Sequence, residues 1–302
     1  MARPLRVAIV INPVAGVRGT LERARRRAQL AMDLLVAAHV DPEILITARA
    51  GHAAELARGA VDRGAHVVVA WGGDGTVNEV ATALVGTSAA LGVIPAGSGN
   101  GLARMLGMPP NPTRAIGRIL NGTQRAIDVG DIDGHPFVNV AGVGFDAHIA
   151  GAFAAIGRAR RGFLRYGAIV MGQLRTYQCR TYTVALDPLD DCTTTTHRAF
   201  LLSFANGRQW GNGAIIAPSA ELDDGALEAV VVEDRGRAAV LRSVPRLFAG
   251  TIASAPGVSI CRIQSAMVSG DGPLLYHADG EPHVGGPSLR VSIRPLALQI
   301  RA

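Results

Sequence analysis

The sequence predicts a parallel α/β domain followed by an antiparallel β domain, the latter a β-sandwich. Up to about residue 124, apolar β-branched runs alternate with helix-like segments, which is typical of a parallel sheet with right-handed crossovers. From residue 125, short β-like runs separated by turn signals follow one another with few helices between them. A length of 302 residues also favours two domains. We predict an α/β domain at 1–124, rejoined by the tail 295–302, and a β domain at 125–294.

The first domain begins with a continuous apolar run at residues 5–11, as expected for a buried parallel strand. A helix is predicted from Thr20. Its apolar face is expected to carry Leu21, Ala24, Ala28, Ala31, Leu35 and Ala38, and its polar face Arg23, Arg25, Arg26 and Arg27. The remaining predicted elements are strands at 43–47, 66–71 and 91–95 and helices at 51–63 and 77–85. Because ligands of parallel sheets bind beyond the carboxyl ends of the strands, we expect residues 12–16, 47, 72–76 and 95–100 to meet at one edge.

A Gly-Gly-Asp-Gly-Thr turn at residues 72–76 stands between a strand and a helix. Glycine permits positive φ and close approach of backbone N–H groups, and the helix N-terminus adds partial positive charge. We therefore predict phosphate binding here, with Asp74 holding Mg²⁺ or accepting a proton. The alternative is a tight turn with a solvated aspartate. Residues 95–101, Pro-Ala-Gly-Ser-Gly-Asn-Gly, predict a second anion-binding turn one β–α unit later.

The second domain begins with a hairpin signal, Asp133-Gly134, between β-like runs at 127–132 and 136–143. A largely helical stretch covers 146–177, and a further helix is predicted at 237–247. The other β-like runs are 181–186, 199–205, 226–232, 258–267 and 288–293. Two acidic segments stand out, 217–225 and Asp279-Gly280-Glu281, and each is either a plain turn or a functional site. Residues 142–147 match a loose dinucleotide fingerprint, but their position inside the hairpin region argues against an NAD site.

The net charge is +6, and every basic side chain except histidine is arginine, because the chain contains no lysine. A P-loop lysine and a lysine Schiff base are thereby excluded. The charge suits anionic ligands or an anionic membrane surface. Nucleic acid is not expected as a partner, since aromatic residues make up only 4% and no reader motif is present.

Cysteine usage and apolar runs favour a cytoplasmic setting. Cys179, Cys192 and Cys261 are far apart in the sequence and form no CxxC pair, which argues against a disulfide framework or a zinc site. No apolar run reaches the roughly 20 residues of a membrane span, and the short run near the start of the chain reads as a first strand rather than a signal peptide.

Together these segments resemble the diacylglycerol-kinase-like lipid kinases, a family that includes bacterial lipid kinases and the sphingosine and ceramide kinases. The matching segments are NPVAG at 12–16, Thr47 with GHA at 51–53, GGDGTVNEV at 72–80, PAGSGNGLAR at 95–104, FVNVAGVGFDA at 137–147, PSAELDDG at 218–225 and DGE at 279–281. GGDGT alone also occurs in NAD kinases and phosphofructokinases. Its combination with the glycine-rich segment at 95–101 and the late DGE is far more specific.

The resemblance implies an ATP- and Mg²⁺-dependent phosphotransferase that acts on a lipid hydroxyl, with the active site in a cleft between the two domains. It implies that Glu281 accepts the hydroxyl proton, with Asp74 and Asp279 as further catalytic acids. Asp224 and the carbonyl groups of Glu221 and Ala226 would hold Mg²⁺. The expected ATP-binding residues are Asn12, Pro13, Val14, Ala15, Gly16, Thr47, Gly72, Gly73, Asp74, Gly75, Thr76, Val77, Asn78, Ser98 and Asn100.

Two departures from the family pattern leave alternatives open. Many bacterial members carry Asp where this chain has Gly101, and Arg18 replaces a lysine of some members. The acceptor is a diacylglycerol, a sphingoid base or a ceramide-like lipid; the alternatives are a soluble acceptor such as NAD, or a catalytically silent nucleotide-binding regulator. Interleaved aromatic, aliphatic and arginine residues at 153–166 suggest a helix pair at a membrane interface or packed on the β domain. A homodimer is also compatible with the sequence.

Overall fold

The structure, a computed structural model, describes residues 5–16, 20–156, 163–188 and 195–302. The chain divides into two compact units. Unit 1 comprises residues 1–127 and 296–302, and unit 2 comprises residues 128–295.

The secondary structure begins with β1 (Arg6–Ile11), α1 (Leu21–Ala37), β2 (Asp41–Ile46), α2 (His52–Asp62), β3 (Val67–Gly72), α3 (Asp74–Leu84), β4 (Ala90–Pro95), α4 (Gly101–Met105), α5 (Pro112–Asn121) and β5 (Gln124–Ile132). It continues with β6 (His135–Phe137), β7 (Val140–Gly144), α6 (Phe145–Ile156), α7 (Phe163–Thr176), β8 (Arg180–Pro188), β9 (Thr195–Ala205), β10 (Gln209–Gly211), β11 (Ala214–Ile215), β12 (Leu227–Glu233), α8 (Arg237–Ala249), a short 3₁₀ helix (Ile252–Ser254), β13 (Val258–Ser269), β14 (Leu275–Ala278), β15 (Glu281–Val284) and β16 (Ser288–Arg301).

Unit 1 is built on a parallel sheet in the order β2-β1-β3-β4, to which the end of β16 adds beside β4. β3 is buried at every position, because helices cover both faces of such a sheet and its strands are therefore apolar throughout. The predicted parallel α/β architecture is confirmed. Helix α5 was not predicted, although Asn111 and Pro112 form a standard helix start whose side-chain cap accepts the Arg114 N–H.

The buried face of α1 is narrower than the sequence suggested. Ala24, Ala31 and Leu35 are fully buried, whereas Leu21 is 68% exposed. Leu21 is the first residue of the helix, after the Thr20 N-cap, and its side chain lies beyond the edge of the core. The predicted apolar face of α1 is therefore only partly buried, and Leu21 at its start is exposed.

Unit 2 is antiparallel throughout its described pairings, in the order β15-β14-β7-β9-β12-β13-β16. Strands β9 and β13 each pair with β12 along one half and with β8 along the other. These two strands therefore pass from one layer to the other, as in packed sheets whose corners are made by strands that switch. The largest fully buried side chains of the core between the layers are Phe137, Phe204 and Tyr276. The predicted antiparallel β-sandwich is confirmed.

Two hairpins in unit 2 have the same turn. Asp133 and Gly134 have φ of 51° and 83° between β5 and β6, and Asp279 and Gly280 have φ of 48° and 85° between β14 and β15. Positive φ at both central residues matches the right-handed twist of the flanking strands. The first hairpin was predicted. Strands β10, β11, β14 and β15 were not, because runs of two to four residues carry too little periodicity.

The cysteine expectation needs a correction. Cys179 is a free thiol, but Cys261 is disulfide-bonded, while Cys192 lies outside the described residues. Separation along the chain does not limit separation in space, so the argument from spacing against a disulfide is wrong for Cys261. Among the described residues, no helix combines the length and apolar character needed to cross a membrane.

Candidate functional site

At the carboxyl edge of the unit 1 sheet, the first residue of three loops is hydrogen-bonded to the end of a neighbouring strand. The Thr47 N–H donates to the Ile11 carbonyl at 3.0 Å, and the Asn12 N–H donates to the Trp71 carbonyl at 3.0 Å. One strand further, the Ala96 N–H donates to the Gly72 carbonyl at 2.8 Å. The segments that the sequence placed at this edge therefore do meet there, on a rigid base.

Asp74 joins two glycine-rich turns, which we name the first glycine turn (residues 72–76) and the second glycine turn (residues 95–101). Its Oδ2 accepts the Asn100 N–H at 2.9 Å, and its Oδ1 accepts the Gly101 N–H at 2.7 Å. Asn100 has φ of 53°, a left-handed conformation that asparagine tolerates. The residue that departs from the family pattern, Gly101, thus supplies a backbone donor to the aspartate of the first turn.

The two turns touch through their backbones. A Cβ atom on Gly97 would lie 2.7 Å from the Gly73 Cα, and one on Gly73 would lie 3.2 Å from the Gly97 Cα. Within the second turn, the Asn100 side chain accepts from the Gly97 N–H at 2.9 Å and donates to the Gly97 carbonyl at 2.8 Å. Glycine at both contact positions is therefore required by close approach.

The start of α3 forms a cradle suited to an anion. Its N-cap is Gly73, which has no side chain to cap the helix, so the amides of residues 74–76 have no intrahelical acceptor. These N–H groups and the helix dipole favour a phosphate oxygen. Asn12 extends the cradle, since its Nδ2 donates to Thr76 Oγ1 at 2.9 Å.

Arg27 supports the loop at residues 12–16, a role that the sequence did not reveal. Its guanidinium donates to the carbonyls of Asn12 and Ala15, each at 3.3 Å, and lies 5.7 Å from the centre of the Trp71 ring. Burial, with a smaller contribution from Arg23, lowers the pKa of Arg27. The sequence predicts Arg27 on the polar face of α1, but in the structure Arg27 is half-buried and holds the loop. No local signal separates it from the neighbouring arginines, because its role depends on the loop folding back onto the helix.

Glu79 connects α3 to α2 through hydrogen bonds, a structural role that the sequence did not reveal. Its two carboxylate oxygens accept the N–H groups of Gly51 and Ala53 at 3.0 and 2.9 Å, at the start of α2. A carboxylate at a helix N-terminus satisfies donors that lack partners within the helix and is favoured by the dipole. Thr47 lies nearby in the chain and is buried.

In unit 2, Asp279 and Glu281 occupy different environments. The carboxylate of Asp279 accepts the N–H groups of Val138, Asn139 and Val140 at 2.9 to 3.0 Å. These bonds attach the β14–β15 turn to the start of β7. Glu281 is the first residue of β15 and is exposed. Of these two acids, Glu281 is therefore the one whose side chain is exposed to solvent.

The predicted magnesium loop does not fit a metal as it stands. Asp224 Oδ2 pairs with the Arg262 guanidinium at 2.7 Å, and its Oδ1 accepts the Ala226 N–H at 3.2 Å. Glu221 is exposed on the same loop. Across the part of the chain that the structure describes, no group of three or more His, Cys, Asp and Glu side chains is arranged to hold a metal. The assignment of Mg²⁺ to Glu221, Asp224 and Ala226 stays a prediction.

A buried acid lies beside that loop. Glu228 on β12 is 3% exposed, and among the described residues its Oε2 has no hydrogen-bond partner. Burial raises the pKa of Glu228, Asp224 adds to the effect, and Ser219 and Arg262 oppose it. The loop itself is fastened from β5, where Asp128 Oδ2 accepts the Gly225 N–H at 2.7 Å.

Few contacts are described for several other residues to which the sequence analysis assigned a function. Ser98 of the second glycine turn is exposed, and Gly16 has φ of 97° and approaches the Ala96 carbonyl. Arg18 lies outside the described residues, as do Arg158, Arg160 and Arg161 of the suggested membrane helix pair.

Both halves of the chain match known families. Residues 6–132 match the diacylglycerol kinase catalytic domain, and residues 139–302 match the YegS C-terminal NAD kinase beta sandwich-like domain. A diacylglycerol kinase of Mycobacterium tuberculosis (strain ATCC 25618 / H37Rv) is 30% identical over 301 residues, covering 98% of this chain and 94% of the relative. A probable lipid kinase YegS-like of Chromohalobacter salexigens is 36% identical over 193 residues, covering 63% and 61%. The crystal structure of a diacylglycerol kinase from Bacillus anthracis str. Sterne has the same fold, with a TM-score of 0.73 at 21% identity over 99% of this chain and 97% of that one.

The contact between the glycine turns predicts that Gly97→Ala destabilises the protein. The added methyl group meets backbone rather than a movable side chain, so we expect the free energy of unfolding to fall by about 1–3 kcal/mol. Gly117→Ala is the control, because a Cβ atom at this helical position meets nothing within 4 Å and alanine favours helix. Chemical denaturation measures both. Equal stability of the two variants would contradict the close approach.

The buried Glu228 predicts a pH-dependent effect of Glu228→Gln. The folded protein raises the pKa of this carboxyl, so its ionised form destabilises the fold. This destabilisation is absent below the pKa of the unfolded chain, about 4.3, and grows as the pH rises above that value. We expect the variant to be more stable than the wild type by about 1 kcal/mol at pH 8, with the difference shrinking towards pH 4. Glu233→Gln, an exposed position at the end of the same strand, is the control. Unfolding curves showing a less stable Gln variant at pH 8 would refute this.

Proposed function

Because the chain belongs to the diacylglycerol-kinase-like lipid kinase family, we propose that it transfers the γ-phosphoryl group of ATP to a hydroxyl group of a lipid. The observation that carries the proposal is the pair of glycine turns held together by Asp74 beside the open N-terminus of α3. Backbone N–H groups converging at one sheet edge are what binding of a nucleotide phosphate chain requires.

In this proposal the amides of residues 74–76 bind phosphate oxygens, and Asn12 and Thr76 fix the edge of the cradle through their 2.9 Å hydrogen bond. The remaining ATP contacts are those that the sequence predicts, from Thr47 to Ser98 and Asn100. Mg²⁺ bound to ATP would supply neutralisation of charge on the phosphates. ATP as the donor sets the reaction in the cytoplasm.

Glu281 is the proposed catalytic base. As the lipid hydroxyl oxygen forms its bond to the γ-phosphorus, the bond from phosphorus to the β,γ-bridging oxygen breaks, ADP leaves, and the hydroxyl proton passes to the Glu281 carboxylate. Asp279 is a positioning residue in this scheme, because its carboxylate already accepts three backbone N–H groups. Asp74 likewise acts by holding the phosphate-binding turns in register.

Helix α8 supports the proposal that the acceptor is taken from a membrane. None of its residues is buried, and Leu241, Val244 and Phe248 are 43%, 39% and 53% exposed. The spacing of three and seven residues places them on one face, and the helix contains three arginines and no acid. A basic helix with an outward apolar face has the chemistry to lie on an anionic lipid surface.

A phosphorylation assay with a matched pair of variants tests the proposed reaction. Purified protein with radiolabelled MgATP and mixed micelles of diacylglycerol, sphingosine or ceramide should form a labelled lipid phosphate. We expect Glu281→Gln to lower kcat by roughly 100-fold or more while ATP binding is kept, because the base is lost but the cradle is not. Glu233→Gln is the control for removing an exposed carboxylate.

Each other outcome of that assay counts against the proposal. Turnover of NAD in place of the lipids would identify a soluble acceptor. ATP binding without transfer to any acceptor, unchanged by Asp74→Asn and Glu281→Gln, would identify a nucleotide-binding regulator. Full activity of Glu281→Gln would remove this residue as the base.

Vesicle sedimentation tests the role of α8. The double variant Leu241→Gln, Phe248→Gln should bind vesicles of phosphatidylcholine and phosphatidylglycerol at least about tenfold more weakly, since burying such a side chain contributes about 1.5–3 kcal/mol. Binding should also weaken with salt. Val36→Gln, which alters a side chain 56% exposed on α1, should bind as the wild type does. Unchanged binding of the double variant would assign α8 another partner.

A further inference from the structure

Three neighbouring strands of unit 2 place polar residues side by side at one level of the sheet. His277 on β14 is opposite Gly142 on β7, and Gly142 is opposite Ser203 on β9. Directly opposed residues in antiparallel strands share a face, so the side chains of His277 and Ser203 stand on the same side, with Gly142 between them. His277 and Ser203 are 5% and 0% exposed.

The carboxylate of Asp146 occupies the space above Gly142. It comes from the first turn of α6 and accepts a hydrogen bond from Ser203 Oγ at 2.8 Å, while His277 Nε2 lies 3.2 Å from the same oxygen. A Cβ atom on Gly142 would lie 2.3 Å from that oxygen. The glycine that matches part of a dinucleotide fingerprint is therefore required for the approach of a largely buried acid.

The hydrogen bonds around His277 determine its tautomer. The Gly280 N–H lies 3.2 Å from His277 Nδ1, and a backbone amide can only donate. Nδ1 is therefore the acceptor, and the ring proton is on Nε2, which faces Asp146. The Gly280 amide therefore donates to Nδ1 of a neutral imidazole, and Nε2–H of the same ring donates to the Asp146 carboxylate. Carboxylates orient histidine rings in this way in many sites.

We propose that the Asp146–His277 pair is a positioning device for Glu281, acting through the amide of Gly280. Gly280 precedes Glu281 in the chain, and the other residue of the turn, Asp279, is held by the start of β7. The two attachments hold successive residues of the turn, Asp279 through its side chain and Gly280 through its amide, and so fix the backbone from which the Glu281 side chain extends. This inference rests on the proposed role of Glu281 as the base.

Two variants of His277, each keeping one of its two hydrogen bonds, distinguish positioning of Glu281 from simple packing. In His277→Asn, the side-chain oxygen takes the place of Nδ1 and keeps an acceptor for the Gly280 N–H. In His277→Gln, the longer amide keeps a donor for Asp146 but leaves Gly280 without its acceptor. Amide exchange of Gly280, followed by NMR in the full chain, should be faster in the Gln variant than in the Asn variant.

The same variants are compared in the lipid phosphorylation assay with the best acceptor. We expect His277→Gln to lower kcat by roughly 10- to 100-fold with an unchanged KM for ATP, because a small misplacement of a reacting group is costly. His277→Asn should stay closer to the wild type. His283→Gln is the control, because His283 pairs with Tyr276 and so stands on the other face of the hairpin from His277. It should retain both kcat and Gly280 protection.

Each alternative result is informative. Equal loss of kcat in the Asn and Gln variants, in proportion to their loss of thermal stability, would make His277 a packing residue and overturn the proposal. Equal Gly280 exchange in both variants would overturn it as well. If Glu281→Gln is fully active while Gly280 exchange follows the predicted order, the assignment of the base fails and the hydrogen-bond network stands.

Discussion

The structure depends on carboxylates that accept backbone N–H groups and thereby hold glycine-containing turns in place. Asp74 does this in unit 1, where it joins the two glycine turns through the amides of Asn100 and Gly101. Asp279 does it in unit 2, where three consecutive amides converge on one side chain. Turns rich in glycine lose more conformational entropy on folding than other segments, so they need such attachments to present a fixed geometry. Charge-assisted bonds to backbone donors are among the stronger ones available.

This constraint changes what the acidic motifs mean. From the sequence, Asp74 and Asp279 were assigned catalytic roles, with proton or metal chemistry for Asp74, because acids beside glycines are typical of phosphate sites. In the structure both carboxylates accept main-chain N–H groups, and Glu281 is the exposed acid of its motif. The catalytic roles of Asp74 and Asp279 stay predictions. Gly101, which stands where many family members carry an acid, also has a structural role, because its amide is one of the donors to Asp74.

Much of the fold could be predicted because periodicity is local. Continuous apolar runs gave the parallel strands, and Asp133-Gly134 marked a hairpin that the structure contains. The supports of the site were not predictable in this way. Arg27 and Glu79 act on segments that lie 12 to 28 residues away, and His277 contacts Asp146 on α6, 131 residues earlier in the chain. Single sequences carry no sign of such pairings. The disulfide at Cys261 escaped prediction for the same reason.

The central claim is that these supported turns serve phosphoryl transfer from ATP to a lipid hydroxyl. Product analysis by mass spectrometry tests it most directly, with MgATP labelled by ¹⁸O in the γ-phosphoryl group and a total lipid extract. The account predicts a lipid that gains the labelled phosphoryl group in proportion to the ADP formed. Label found only in inorganic phosphate, or in a phosphorylated soluble acceptor such as NADP when NAD is supplied, would contradict it.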